Sequence, residues 1–595
     1  MRLADYIAQT LAKHSKNCYM VTGGGAMHLN DAFGQSGMNI IFCHHEQTCT
    51  MAAEADARVS KQVGVVNVTT GPGGINALNG VYGAWTDSIP MVVISGQVKS
   101  TTYRGNYHIP GLRQLGEQEV NIVEMVRGIT KYAHCITDPS TVRYHLEKAI
   151  FEATTGRMGP VWLDIPVDIQ AVLIDKDKLP GFTPSDREKN KFLNIGPKII
   201  QQVFLKLKTA KKPIIIASTG VRLADAIDDL EETVNLLDLP IVTSCNHDVF
   251  DNHHANYVGQ QGTVGDRAGN IAVQNADLVL IIGSRMPIRQ ISYNWENFAK
   301  HAYKIQVDID EIEMQKPTLK IDFPVVADCK AFLIELNHLI KKNVSDYKPN
   351  VRWKDWCVGK KLKYPIVQPH HKDAGKPINP IYFLYELQQK LNEKDVTVCA
   401  NGMAGVTTYQ TARLRKGQQM FTNIGCASMG YDLPAAIGAA MGAPEKRVIC
   451  VAGDGSVMMN LQELQTIKAL NLNVKIFIVN NNGYLSIKST QKNFFKRLYG
   501  STPESGITFP DFVKVGNAFG IPSFTIRKHN FDSQLEQYLN MQGPVLVDVI
   551  LDSEQSFEPK LSSKVLSDGK IVSPSLEDMA PFLSEEEMKS NYYQE

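Results

Sequence analysis

The segment that most constrains this chain is Gly453-Asp454-Gly455-Ser456, with Asn481 placed 27 positions after Asp454 (481 − 454 = 27). The run Val448-Ile449-Cys450-Val451-Ala452 is apolar and rich in β-branched residues, which predicts a buried strand. Gly-Asp-Gly then predicts a turn in which backbone can approach a ligand closely. Met459 to Leu470 carries Leu461, Leu464, Ile467 and Leu470 at helical spacing and predicts a helix. Val474 to Val479 reads as a second strand, ending in Asn480-Asn481-Asn482-Gly483. Parallel strands end at the same edge of a sheet, so a strand–helix–strand unit brings both polar ends together. Such a pair suits a hard cation shared with a diphosphate, because Mg²⁺ takes about six oxygens and combines few carboxylates with phosphate oxygens. Asp454 supplies charge, and the Asn481 amide oxygen and the Gly483 carbonyl supply neutral ligands.

At 595 residues the chain implies several domains of roughly 150 residues each. Sixty-two basic and sixty-one acidic residues leave almost no net charge, which argues against a nucleic-acid or anionic-membrane partner. The ten cysteines are scattered without a C-x-x-C pair, so neither a disulfide frame nor a zinc site is expected, and a reducing cytoplasm is. Met1 to Ala12 is amphipathic and unlike a signal peptide, and no apolar run approaches the length of a membrane helix.

Strand patterns alternate with helical ones along the chain. Val63 to Val68, Met91 to Ser95 and Val161 to Pro166 are strands of a first block, with a helix opening at Thr70-Gly71-Pro72. A charged linker runs from Asp175 to about Lys191. A second block holds the strands Ile214–Ala217, Ala276–Gly283 and Lys304–Asp310, and a polar connection spans about Val344 to Lys376. In that connection His370-His371 reads as solvated linker rather than as a metal site. The expected fold is α/β, with three doubly wound parallel-sheet domains covering 1–175, 192–343 and 377–551, followed by an arm from 552 to 595.

These stretches resemble the thiamine diphosphate (ThDP) enzymes, in their acetolactate synthase-like branch. The resemblance rests on His45-Glu46-Gln47 with Met51-Ala52-Ala53-Glu54, on Thr70-Gly71-Pro72-Gly73-Gly74-Ile75-Asn76, on Gly96-Gln97-Val98, on Gly156-Arg157-Met158-Gly159-Pro160, on Met429-Gly430-Tyr431 with Leu433-Pro434-Ala435-Ala436, and on the Gly-Asp-Gly and Asn-Asn pair. It implies a ThDP-binding fold at both ends and a nucleotide-binding-like centre. It assigns Glu46 as the catalytic carboxyl bonded to the aminopyrimidine, with Gln118 beside the substrate. Gly24, Gly25, Thr70, Pro72, Asn76, Asn401, Gly402, Met429, Gly453, Gly455, Ser456, Asn481, Gly483 and Tyr484 are its cofactor-binding candidates, and Asp454, Asn481 and Gly483 its Mg²⁺ ligands. Met429 suits a bulky prop under the cofactor, with core packing as the plainer role.

The implied reaction is decarboxylation of a 2-oxo acid, pyruvate by expectation, and transfer of the two-carbon unit to a carbonyl acceptor. The chain departs from the family at Tyr484 to Gln491, where Thr490 stands in place of the tryptophan that shapes the acceptor pocket. A smaller, hydroxylated residue points to a larger polar acceptor such as a keto-sugar. The alternatives are a simple 2-oxo acid decarboxylase and a catalytically silent homologue. The family also holds a non-redox FAD in the central domain. Gly262, Arg285, Arg289 and Arg157 are the candidates here, although Met286-Pro287-Ile288 and Gln260-Gln261 depart from its pattern; a nucleotide fold with surface arginines is the competing reading. The tail reads either as an arm over the active site or as a disordered acidic end. The resemblance further implies a homodimer or homotetramer with shared active sites.

Overall fold

The computed structural model describes all residues except 108, 186, 187, 189, 190, 246, 247, 556, 566–568 and 595. Three six-stranded sheets organise the chain. The first orders β1 (Asn17–Met20), β2 (Asn39–Phe42), β3 (Gly64–Val68), β4 (Met91–Gln97), β5 (Tyr132–Cys135) and β6 (Pro160–Pro166) as β2-β1-β3-β4-β6-β5. The second orders β7 (Pro213–Ala217), β8 (Ile241–Thr243), β9 (Tyr257–Gln260), β10 (Leu278–Ile282), β11 (Tyr303–Asp308) and β12 (Phe323–Val326) as β12-β11-β10-β7-β8-β9. The third orders β13 (Val396–Cys399), β14 (Gln419–Phe421), β15 (Val448–Gly453), β16 (Val474–Asn480), β17 (Ser523–Ile526) and β18 (Val545–Ile550) as β14-β13-β15-β16-β18-β17. The central pairs β3–β4, β7–β10 and β15–β16 are all parallel. Every residue of β4 and β6 is buried, as strands covered by helices on both faces must be.

Residues 1–185, 394–405 and 421–553 form one compact unit, and 186–393, 406–420 and 554–595 form another. In the first unit the Glu46–Ser60 helix packs on the Asp432–Gly442 helix so closely that a Cβ on Gly438 would lie 2.0 Å from the Ala52 carbonyl oxygen. This helix buries charge as well as apolar surface. Arg58 Nε donates to Glu54 Oε1 at 2.7 Å, its Nη2 pairs with Asp87 Oδ2 at 2.7 Å, and the Tyr431 hydroxyl donates to Glu54. Asp56 accepts from Asn17 Nδ2 (2.8 Å) and the Tyr19 hydroxyl (2.9 Å). Buried polar groups of this kind are tolerated because each has a partner.

In the second unit the strands alternate sides. Ile215, Leu280 and Ile305 enter one core, and Ile214, Ile216, Val279 and Ile281 enter the other. The latter core also takes Trp353, Cys357, Leu576 and Met286. The connection expected to be a polar stretch therefore contains a helix, Val351–Lys363, that closes one face of the sheet. Trp353, Cys357 and Lys360 lie on its buried side, and that spacing was the signal hidden among its lysines. The arm after residue 552 also belongs to this core: Tyr593 packs edge-on against Trp353 and Trp356, and Arg267 Nη1 donates to the Met579 carbonyl at 3.1 Å.

One local expectation is refined and one corrected. The turn expected at Gly453-Asp454-Gly455 is a helical one, Asp454–Val457, into which β15 runs directly, and neither glycine takes a positive φ. Gly455 is required instead by close approach, since a Cβ there would sit 1.9 Å from the Tyr484 ring. The helix expected from Met459 to Leu470 begins only at Leu461, as a 3₁₀ turn Leu461–Glu463 that runs into Leu464–Ala469; Asn460, outside it, donates to the Gly430 carbonyl at 2.7 Å. Among the described residues no helix is long and apolar enough to cross a membrane.

Arg58→Leu would leave Glu54 and Asp87 buried without a counter-charge, at a cost of about 3–5 kcal/mol. The shift of the urea unfolding midpoint measures it. A loss below about 1 kcal/mol, the range of exposed pairs, would contradict the network's role.

Candidate active site

Strand register places the metal-site candidates. Gly453 of β15 lies beside Val479 of β16, so Asp454 and the Asn480–Gly483 segment leave the sheet at the same edge. Asp454 Oδ1 accepts the Gly455 amide (2.8 Å) and Oδ2 accepts the Gly483 amide (3.0 Å). The carboxyl group is buried, and burial pushes it up to about 6 although amides of Gly483, Gly455, Asn482 and Asn481 oppose the shift. No basic side chain pairs with it among the described residues. A buried acid lacking a counter-cation, with the buried Asn481 beside it, is a donor set of oxygens that fits a hard cation.

The neighbouring candidates are tied to this edge by hydrogen bonds. Ser456 Oγ accepts the Gly430 amide at 2.9 Å, and Asn401 Nδ2 donates to the Ser428 carbonyl at 2.9 Å. Gly402 (φ +69°) would place a Cβ 3.6 Å from Ser486 Oγ. Met429 is 39% exposed, so it stands at this edge rather than in the core. Tyr484 covers Gly455. Thr490 is exposed on the Leu485–Phe494 helix, where its hydroxyl donates to the Ser486 carbonyl at 3.1 Å.

The other group of candidates collects at the first sheet. Glu46 is the first residue of its helix, and His45 caps that helix by accepting the Gln47 amide on Nδ1 at 3.1 Å. Glu46 Oε2 accepts from Asn76 Nδ2 at 3.0 Å, while a Cβ on Gly73 would reach within 3.4 Å of Oε1. Pro72 opens the helix bearing Asn76, after Gly71 at φ +62°. Thr70 is buried and its hydroxyl has no partner among the described residues. Gly25 is pressed against that hydroxyl, whereas the Cβ position of Gly24 faces open space. Gln118 is exposed at φ +65°, and its carbonyl lies where a Cβ on Gly71 would be, 2.1 Å away. The orphan hydroxyl and the open Gly24 position fit a flat heterocycle held against backbone.

In the second unit Gly262 (φ +132°) is locked by Asn270, which bonds both its N–H and its carbonyl at 2.9 Å. Arg285 and Arg289 follow β10 at the point where the strand order reverses between β7 and β10. Neither is paired with a carboxylate among the described residues, so both are open to a diphosphate. Arg157 belongs to the first unit, where its Nε donates to Ser88 Oγ at 3.0 Å.

The expectation for His370-His371 is corrected. His371 is buried, and its Nε2 lies 3.3 Å from Glu558 of the arm; His370 Nε2 is 3.2 Å away. His371 Nδ1 accepts the Gln368 amide at 3.0 Å, which leaves the ring proton on Nε2 facing the carboxylate. That tautomer offers no lone pair to a metal. The hydrogen bond from His371 instead holds Glu558 down at about 2. A polar network under the first sheet, Ser95, Gln97 and Asp164, had no separate sequence signal beyond polar residues interrupting apolar strands.

Comparison with known proteins follows the same division. The family described as "Thiamine pyrophosphate enzyme, N-terminal TPP binding domain" matches residues 1–125. The central domain of that family matches 200–336 and its C-terminal TPP binding domain 400–549. The chain is 30% identical over 582 residues to acetolactate synthase 2, chloroplastic, of Nicotiana tabacum, covering 94% of this chain and 83% of the relative. It is 30% identical over 562 residues to the acetolactate synthase isozyme 2 large subunit of Escherichia coli (strain K12), covering 94% and 97%. With the acetolactate synthase large subunit of Cyanidium caldarium the identity is 30%, covering 93% of each.

Asp454 and Asp432 reach about 6 and Asp164 about 7, all raised by burial. A raised carboxyl binds more protons folded than unfolded, so its contribution to stability falls as pH rises through the folded value. In the presence of EDTA the melting temperature should therefore drop between pH 5 and about 7. Asp454→Asn should flatten that dependence. A melting temperature that rises across the window in both proteins would contradict it.

Proposed function

The chain belongs to the thiamine pyrophosphate enzyme family as an acetolactate synthase-like, C–C bond-forming enzyme that depends on ThDP, and on that premise we propose that it decarboxylates a 2-oxo acid, pyruvate, and transfers the two-carbon unit to a polar carbonyl acceptor, a keto-sugar. The observation that carries the cofactor assignment is the buried Asp454, without a counter-cation, at the shared edge of β15 and β16. The observation that favours a large polar acceptor is Thr490, small, hydroxylated and exposed on the helix that follows.

Bound ThDP supplies the electron sink for decarboxylation. Asp454, the Asn481 amide and the Gly483 carbonyl would hold Mg²⁺ against the diphosphate, with Gly453, Gly455, Ser456, Gly402 and Asn401 lining it. Gly24, Gly25, Thr70 and Pro72 would cradle the ring end, and Met429 would support it. Glu46 is the proton-handling group. Asn76 fixes Oε2, which leaves Oε1 to hold or release a proton. Gln118 would touch the 2-oxo acid.

Arg285, Arg289 and Gly262 suit the diphosphate of a nucleotide, and we assign FAD to them on that chemistry. A flavin absorption band in the purified protein tests this. Ile75, Tyr82 and Trp85 line one exposed side of the Pro72–Asp87 helix, which supports a homo-oligomer in which a second copy covers them. Ten free cysteines suit a reducing compartment such as the cytoplasm.

With ThDP, Mg²⁺ and pyruvate, carbon dioxide release should accelerate when a keto-sugar is added, and a branched product should form. Acetolactate formed from pyruvate alone as fast as carbon dioxide would overturn the acceptor assignment. Glu46→Gln should lower turnover by about 10²-fold or more, as expected for loss of a general acid–base group. Full activity in that variant would remove Glu46 from the mechanism.

A further inference from the structure

The segment between β4 and the Ile122–Val126 helix carries Gln118, and it is held from below by a fully buried polar chain. Gln97, the last residue of β4, donates through Nε2 to the Val120 carbonyl at 2.8 Å and to Asp164 Oδ2 at 2.8 Å. Its Oε1 accepts the Val98 amide at 2.9 Å, so both of its N–H donors and one of its two acceptor positions are used. Asp164, on β6, also accepts from Ser95 Oγ at 2.6 Å, and Ser95 in turn accepts from Trp162 Nε1 at 2.8 Å. Ser95, Gln97, Trp162 and Asp164 are each at most 1% exposed.

From above, the Glu119 carboxylate accepts the amides of Arg104 (2.6 Å), Leu115 (2.8 Å) and Gly116 (3.0 Å). Gln118 lies between these two anchors. It adopts a left-handed conformation unusual for a residue with a side chain, and its carbonyl is pressed on Gly71 at the turn that opens the Asn76 helix. Such a conformation persists only where its surroundings over-determine it. The Gln118 side chain itself makes no hydrogen bond among the described residues and is exposed, while its Cβ lies 3.6 Å from where a Cβ on Gly71 would be.

We propose that Gln97, fixed by Asp164, is a positioning residue that sets where Gln118 presents its amide to the 2-oxo acid. This rests on the reading of the site as the place where a 2-oxo acid is bound. Gln97 touches neither substrate nor cofactor. It ties the substrate-binding segment to the sheet, so that a substrate-recognising side chain on a long connection is held as if it stood on a strand. The carboxylate of Asp164 is needed because an uncharged apolar residue on β6 would leave one Gln97 N–H buried without an acceptor.

Gln97→Met keeps length and bulk and removes both N–H donors. Two readouts decide the proposal. First, amide hydrogen exchange of residues 115–121 in the holoenzyme should be faster in the variant, with the sheet unchanged. Second, the KM for pyruvate should rise about tenfold, the scale of a misplaced binding group, while ThDP affinity changes less than about twofold. Gln118→Ala should raise KM similarly, and the double variant should be no worse than Gln118→Ala alone. Where Gln97→Met does not fold, Asp164→Asn carries the same measurements, since it retains volume and replaces one of the two acceptor oxygens shared by Ser95 and Gln97 with a donor. Unchanged exchange in 115–121, or effects that multiply in the double variant, would overturn the proposal. If wild-type protein releases no carbon dioxide from pyruvate, the substrate reading fails, and the exchange comparison still decides whether Gln97 anchors the segment.

Discussion

The arrangement depends on Arg58. Its guanidinium lies between two buried carboxylates, Glu54 on its own helix and Asp87 at the end of the next, and Tyr431 reaches Glu54 from the C-terminal part of the chain. Three segments far apart in sequence are thereby held in one position. Each member would be expensive to bury alone, so the network is satisfied only when all of them are in place. The helix so fixed is the one that begins with Glu46. A charge cluster near its middle thus determines where its first carboxylate stands.

The second constraint is the parallel sheet. Asp454 and Asn481 are brought together because β15 and β16 run the same way and end in register. The same logic places Arg285 at the end of β10, at the reversal point of the central sheet. Chemistry in this fold gathers at strand ends because only there do backbone amides, carbonyls and short polar side chains escape a core covered on both faces. Glycine is required there for different reasons: Gly71 and Gly402 for positive φ, Gly455 and Gly25 for close approach.

Much of this was legible in the residue pattern. The apolar runs at Ile214–Ala217 and Val448–Ala452 could only be buried strands, and the Asp454 to Asn481 interval spans one crossover. Less visible was the Val351–Lys363 helix, whose lysines conceal a buried side defined by Trp353 and Cys357. The start of the helix after Asn460 was also hidden, because Asn460 is engaged by the Gly430 carbonyl, thirty residues away in sequence. His371 read as solvated because its partner, Glu558, lies 187 residues further along. Periodicity reports which face of an element is buried. It is silent on hydrogen bonds between distant segments, and those decide the exceptions here. The exposed Thr490 and the arginines of the central unit, unpaired with carboxylates among the described residues, show the same limit: their types were readable, but their exposure and pairing were properties of the fold.

The central claim is that Asp454 recruits a cation which in turn holds the cofactor diphosphate. Calorimetric titration with ThDP measures this directly. The account predicts tight binding with Mg²⁺ present and little or none in EDTA, and the loss of that Mg²⁺ dependence in Asp454→Ala. Equal affinity in Mg²⁺ and in EDTA, or unchanged binding by Asp454→Ala, would contradict it.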